Sequence, residues 1–282
     1  MGLFYGKPGR GLTKEDVDKK GVSLYLDILG RRAWSLMSLN LYFVLFSIPA
    51  FVIAFFMSAY VVSWVAELIN LEFTQQISNG LSLLSTLAAL ITVLFCGSGP
   101  ASAGMITVLR KHATDAHSWG WSDFFEGLRK NFKQSLLVYI LNMLLTNVFA
   151  VGFFHYLYIT KGTLSGVLAI VVLIVAVIFF MMQMYTYQLM VCVDLKIKDI
   201  YKNALILVMG KLPWNILVAA ITAFIMVFVF EIFMAIPTVG LLLIAVFVYS
   251  FIAFTQVFMT NNILCKYVLD PATEEHSNKK ED

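Results

Sequence analysis

The 282-residue chain is 60% apolar, 15% aromatic and only 13% charged, with a formal net charge of +3 and a mean hydropathy of +0.83. A water-soluble domain is roughly 45–50% apolar and about 25% charged, so this chain lacks the charge to cover a globular surface and is read as solvated by lipid. Its small net charge hides a strong asymmetry that reads as membrane orientation and not as nucleic-acid binding.

Residues 1–21 read as a polar, basic tail, with no cleavable signal peptide because the first 35 residues are polar. The start Met1-Gly2-Leu3-Phe4-Tyr5-Gly6 lacks the hydroxyl residue that myristoylation signals carry at that position. An amphipathic stretch (Val22, Tyr25, Leu26, Leu29, Ala33) then leads into a window free of charge, Ala33–Ala66, and a second window follows at Phe73–Leu109. Another amphipathic stretch (Trp121, Phe124, Phe125, Leu128, Phe132) precedes the windows Gln134–Thr160 and Gly162–Val193. A third (Ile197, Ile200, Ala204, Leu207, Val208) precedes Leu212–Phe230 and Ile232–Cys265. Lipid offers no hydrogen bonds to an open backbone and no window alternates like a barrel strand, so each is predicted to be an α-helix.

The expected fold is therefore all-α and polytopic. Six transmembrane helices form three hairpins, each preceded by a cytoplasmic amphipathic helix lying in the membrane interface. Residues 22–268 form the membrane domain and residues 269–282 a second polar tail. Of the twenty basic residues, nineteen fall before the first window, in Arg110–Lys133, in Asp194–Lys211 or after Cys265, leaving Lys161 alone for the other side. The positive-inside bias puts both termini in the cytoplasm of a multi-pass plasma-membrane protein. Cys96, Cys192 and Cys265 lie in or near helices without CxxC spacing and read as small apolar residues.

Three features are candidates for a ligand. In the second window Cys96-Gly-Ser-Gly-Pro-Ala-Ser-Ala-Gly104 interrupts an apolar helix. Pro100 removes a donor, Gly97 and Gly99 allow a bend, and a helix restarting at Pro100 would aim free N–H groups inward. The competing reading is a packing face of Gly97, Ala101 and Gly104. Second, the amides Asn142, Asn147, Gln183, Gln188, Gln256, Asn261 and Asn262 lie in apolar windows and should face the bundle interior, accompanied by Tyr185, Thr186, Tyr187 and Thr255. They read either as interhelical glue, worth about 0.6 kcal/mol each, or as a polar track in which Gln188 and Gln256 face one another across a vestibule. Third, Glu231 is the one acidic residue in the apolar run of the fifth helix, about 28 Å from its start at Leu212, where snorkelling to the external interface competes with pairing to Lys161 or His155.

The chain lacks G-x-x-x-x-G-K-[ST], H-E-x-x-H and G-x-S-x-G, and has no paired intramembrane carboxylates, so no catalytic residues, metal or cofactor are expected.

The stretch Gly99-Pro-Ala-Ser-Ala-Gly104 running into Val108-Leu-Arg110, Trp121-Ser-Asp-Phe-Phe125 and Arg129-Lys-Asn-Phe-Lys133 resembles the YesL-like family of bacterial integral membrane proteins. Phe4-Tyr-Gly-Lys-Pro-Gly9, Asn40-Leu41 with Pro49, and Lys202-Asn-Ala204 are similar as well, although Pro49 and Gly99 lie farther apart than in many members. The resemblance implies a bacterial plasma-membrane protein that accompanies carbohydrate ABC importers and polysaccharide-utilisation genes, with no agreed binding residues to carry over. The expected partners are the lipid bilayer and carbohydrate ABC importer components, with no nucleic acid. The expected role is an accessory one in carbohydrate uptake, against the alternatives of a stand-alone permease and of a scaffold or sensor.

The orientation is testable by labelling. Cysteines introduced at Asn70 and Thr163 are expected to react with an impermeant thiol reagent in intact cells, and ones at Ser118 and Ser277 only after lysis; labelling at Ser277 from outside contradicts an even number of spans.

Overall fold

The computed structural model describes residues 21–68, 75–160 and 162–269. The N-terminal motif at Phe4, most of both polar tails, residues 69–74 and Lys161 therefore lie outside the described residues. Every regular element among those described is helical. They are α1 (Val22–Leu68), α2 (Gln75–Phe95), α3 (Pro100–Ala113), α4 (Gly120–Lys130), α5 (Phe132–Phe154), α6 (Thr163–Cys192), α7 (Ile197–Gly210), α8 (Leu212–Ala235), α9 (Pro237–Leu243) and α10 (Tyr249–Leu264). Wide π turns follow α5 (His155–Ile159), join α9 to α10 (Ile244–Val248) and extend α10 (Cys265–Leu269).

Five helical stretches are long and apolar enough to cross a membrane: Val22–Val65, Phe132–Ile159, Thr163–Cys192, Leu212–Ala235 and Pro237–Val268. Together they make this a multi-pass helical membrane protein. The expected sixth span is divided. The chain opens after Phe95 and restarts at Pro100, leaving α2 with a shorter apolar stretch, Ser82–Val93, and α3 as a separate helix. The physical cause is local, since Gly97 (φ 76°) and Gly99 (φ 67°) occupy left-handed backbone and Pro100 has no N–H to continue a helix.

Two of the three expected amphipathic helices form as separate elements, α4 and α7, with corners at Asn131 and Lys211. The first does not. Its residues run without interruption into the apolar window, so that α1 has 47 residues and would measure about 70 Å if straight. One face of α4 is taken up by other helices, while Trp121 of the same helix stays exposed. α4 folds back along α3, with Phe124 wholly buried and the rings of Tyr42 and Phe46 of α1 set edge-on or tilted against Trp121, Phe124 and Phe125. A Cβ at Gly104 would sit 2.7 Å from the Phe124 carbonyl, and one at Gly127 would strike Thr107. The small residues of α3 are thus used for close helix approach.

The largest buried cluster draws on α1 (Leu36, Phe43), α3 (Leu109), α6 (Leu189), α7 (Ile200) and α10 (Phe254). Away from it the packing thins, and Phe56 and Leu83 on one side and Ile170, Phe224 and Leu241 on the other are exposed. In water such faces would aggregate; in lipid they need no cover.

The basic segments meet pairwise. Arg31 pairs with Asp27 (2.9 Å) and with Asp115 (3.1 Å) of the α3–α4 link, and Lys211 lies over the Tyr267 ring beyond α10. Gln134 at the start of α5 donates to the Leu195 carbonyl of the α6–α7 link.

Gly104→Ala is expected to cost about 1–3 kcal/mol, because the neighbouring atom is a backbone carbonyl that cannot rotate away. Gly120→Ala, which meets nothing within 4 Å, is expected to stay within about 0.5 kcal/mol of the parent. Thermal unfolding in detergent distinguishes the two.

Candidate functional site

The Cys96–Pro100 break releases backbone groups into a buried layer, and side chains from three helices meet them while a fourth helix binds the Ser98 side chain. The Ser98 N–H donates to Ser102 Oγ (2.8 Å), and the Ser98 hydroxyl is hydrogen-bonded to Ser47 of α1 (2.6 Å). The Gly99 N–H donates to the Tyr187 hydroxyl of α6 (3.3 Å), and Asn142 of α5 donates to the Cys96 carbonyl (3.4 Å). A Cβ at Gly97 would fall 2.5 Å from Ser102 Oγ and 2.9 Å from the Tyr187 ring, so the glycine is required by space as well as by its φ.

From the break a chain of amides and hydroxyls runs across the bundle. The Tyr201 hydroxyl of α7 donates to Asn142 Oδ1 (2.6 Å), and Asn142 Nδ2 donates to Gln183 Oε1 (2.9 Å). Gln183 in turn donates to the Phe179 carbonyl (3.3 Å). On α10, Gln256 donates to Thr222 Oγ1 of α8 (3.1 Å).

A cavity of about 70 Å³ lies where these parts converge, lined by Gly97, Ser102, Gln183, Tyr187, Tyr249 and Gln256. That volume suits a few waters; ligand pockets hold roughly 300–1,000 Å³. Beside it runs an apolar groove of about 270 Å³ between α6 and α8, formed by Phe180, Met181, Ala219 and Ala223 and sharing Met184 and Gln256 with the cavity.

Of the residues singled out from sequence, Gly97, Gln183 and Gln256 therefore come together, with Gly99 and Pro100 immediately behind in the break. Gln188 does not line this space. It is wholly buried, donating to the Met184 carbonyl (2.6 Å) and to Thr260 Oγ1 (2.8 Å), and it ties α6 to α10 while its own oxygen lacks a partner. Gln188 and Gln256 thus do not share the expected vestibule. Glu231 is exposed on α8, nine residues beyond Thr222 or about 14 Å along the helix, and takes no part in the site. Its expected partner Lys161 lies outside the described residues, and His155 is hydrogen-bonded to Thr160 (3.1 Å).

Several functional groups of the network carry little signal in sequence. Asn40 donates to the Ile244 and Ala245 carbonyls (2.9 and 2.8 Å) and accepts from the Ser250 N–H (2.8 Å), meeting backbone groups at the π turn before α10. Asn215 donates to the last carbonyls of α7, at Leu207 (3.0 Å) and Val208 (3.1 Å), and accepts from Tyr185 (2.6 Å). Their legible signal is an isolated amide beside a turn.

At the basic end, α3 and α4 are joined by Lys111–Asp123 (2.8 Å). Burial pushes the Asp123 carboxyl up, but Lys111, the Ser118 hydroxyl and the Trp119 N–H outweigh it and hold the group below the usual carboxylate range. His112 is wholly buried, with Nε2 2.9 Å from Ser35 Oγ and Nδ1 without a partner. Burial, reinforced by Arg32 and opposed by Asp123 and Asp115, pushes its pKa down to about 4.

Residues 36–153 match a family model described as "Protein of unknown function, DUF624". The matched segment runs from within α1 to the end of α5 and includes the break and the α3–α4 hairpin. No curated protein and no solved structure matches the chain.

The neutral His112 makes stability pH-dependent. Between pH 6.5 and about 4 the unfolded chain takes up a proton that the folded chain refuses, so its contribution is complete above about pH 6.5 and is lost as pH falls through about 4. The loss is expected to reach about 3 kcal/mol. His112→Gln is expected to flatten this part of a detergent unfolding profile.

Proposed function

We propose that this chain is a multi-pass bacterial plasma-membrane component with both termini in the cytoplasm, that it is not an enzyme, and that it acts as an accessory part of carbohydrate uptake of the ABC type. The nineteen-to-one distribution of basic residues supports the orientation. The resemblance to YesL-like proteins supports the association with carbohydrate uptake.

One observation carries the accessory reading over a transport reading: the polar track ends on itself. Asn142, Gln183 and Gln188 each bind protein backbone or side chains, and the space where Gln183 and Gln256 meet holds about 70 Å³. A solute path needs polar groups presented to a continuous aqueous space. A bundle whose amides bind one another is instead a rigid body suited to holding a partner.

A stand-alone permease is the second reading, favoured by the contact between the cavity and the lateral groove at Met184 and Gln256. If the site moved a solute, its widening would begin there.

The experiment combines a deletion strain grown on single glycans with co-purification of the tagged protein. The accessory reading expects a growth defect on a particular glycan and retention of ABC permease subunits. It also expects Gln183→Leu with Gln256→Leu to leave uptake near normal at normal abundance, losing no more than roughly 1–2 kcal/mol of stability. Uptake abolished in that variant, with abundance and any co-purification unchanged, supports the permease.

A further inference from the structure

Two lysines stand at one level of the bundle, where α8 begins and α10 ends. The Trp214 side-chain N–H of α8 donates to the Met259 carbonyl of α10 (3.0 Å), so the first turn of α8 lies beside the last turns of α10. Lys211 is the last charged residue before the apolar run of α8, and Lys266 is the first after the charge-free window that α10 closes. Charges at such positions mark the edge of the hydrocarbon layer, where lipid phosphates sit. Both ammonium groups lie over the Tyr267 ring, at 5.7 and 5.6 Å from its centre.

Lys211 and Tyr267 also line a pocket of about 270 Å³ between the second half of α7 and the end of α10. Asn203, Leu207 and Gly210 form its α7 wall, and Ile263 and Val268 face them. Lys211 is the one charged residue of this lining, and Asp199, the one acidic residue of α7, lies outside it. The ion pairs of the described residues join Arg31, Arg32 and Lys111 to Asp27, Asp115 and Asp123; none includes Lys211 or Lys266. The C-terminal carbonyls of α7 would oppose an anion, but those of Leu207 and Val208 are taken by Asn215 (3.0 and 3.1 Å). The pocket is left with uncompensated positive charge, and the Asn203 amide and the Tyr267 hydroxyl add hydrogen-bonding groups.

One side of the pocket opens onto apolar surface. Ile206, which lines it, is 55% exposed, and Met209, three residues on and so on the same side of α7, is 52% exposed. The volume falls below the roughly 300–1,000 Å³ of pockets that enclose a drug-sized ligand. It admits a headgroup and leaves acyl chains outside, against Ile206 and Met209. A larger groove of about 400 Å³ between α8 and α10 lacks this combination, since no charged side chain lines it.

We propose that the α7–α10 pocket seats the headgroup of one anionic phospholipid, with its phosphate at Lys211, Lys266 adding charge from the other contact on the Tyr267 ring, and its acyl chains over Ile206 and Met209. Charge selects the headgroup, and the exposed apolar side of α7 selects a lipid over a free phosphate.

The test uses the full-length protein in detergent, titrated separately with phosphatidylglycerol, phosphatidylcholine and glycerol phosphate, and read by native mass spectrometry and thermal unfolding. One phosphatidylglycerol is expected to be retained per chain and to raise Tm, with phosphatidylcholine weaker and glycerol phosphate without effect. Lys211→Gln with Lys266→Gln is expected to weaken phosphatidylglycerol about thirtyfold. Lys196→Gln with Lys198→Gln, which removes the same charge from residues outside the lining, is expected to weaken it less than about threefold. Gly210→Leu places a side chain where a Cβ meets nothing within 4 Å, and is expected to fold like the parent yet lose the retained lipid with both lysines intact. Equal binding of the two lipids, stabilisation by glycerol phosphate as large as that by phosphatidylglycerol, or undiminished retention in Gly210→Leu or in the Lys211 and Lys266 double variant overturns the proposal. Equal losses in the two lysine pairs also overturn it, because the attraction would then belong to the whole basic end and not to this pocket.

Discussion

A backbone group released inside a membrane bundle has no water to bind, and this constraint organises the structure around the Cys96–Pro100 break. The opening there frees donors and acceptors that α3 itself can satisfy only in part. Asn142 and Tyr187 arrive from two other helices to bind them and Ser47 of α1 binds the Ser98 hydroxyl beside them, and each arrival fixes a relation between helices. The break thus works as a junction. It costs regular helix geometry, and it returns α1, α5 and α6 held to a common point. Asn40 at the π turn before α10 and Asn215 at the α7–α8 corner apply the same principle elsewhere.

The distribution of core follows from the solvent. A dense cluster joins α1, α3, α4, α6, α7 and α10, with Val138 of α5 and Val218 of α8, whereas the remaining lengths of the long helices leave large apolar side chains exposed. Of the five spanning stretches α8 is the least enclosed, with 17% of its apolar window buried. Its two flanks form both lateral grooves, one toward α6 and one toward α10.

The small residues around the break serve two purposes along α3. Gly97 and Gly99 adopt left-handed backbone that the turn requires, while Gly104 gives room to Phe124 of α4. The packing reading and the ligand-facing reading of this motif are thus divided along its length. Its N-terminal part borders the cavity, and its C-terminal part is a helix–helix contact.

What the sequence determined by itself was the class. Composition demanded lipid, absence of charge marked the long helices, and Gly97, Gly99 and Pro100 marked the interruption, because these depend on local chemistry and on bulk solvation. It also placed Asn142, Asn147, Gln183 and Gln188 in the interior, since an amide in lipid is costly unless it turns inward, although Asn262 of the same set is exposed near the end of its helix. Tertiary structure alone decided which amides meet. Gln188 and Gln256 have similar positions near the ends of their helices, yet Gln188 binds Thr260 while Gln256 binds Thr222 and lines the cavity that Gln183 also borders, because the rotation of one helix about another is set by packing and not by spacing along the chain. The same reason hid the continuity of α1 and the folding of α4 onto α3. An amphipathic stripe records that one face is covered, and whether lipid or another helix covers it is settled only when the helices come together.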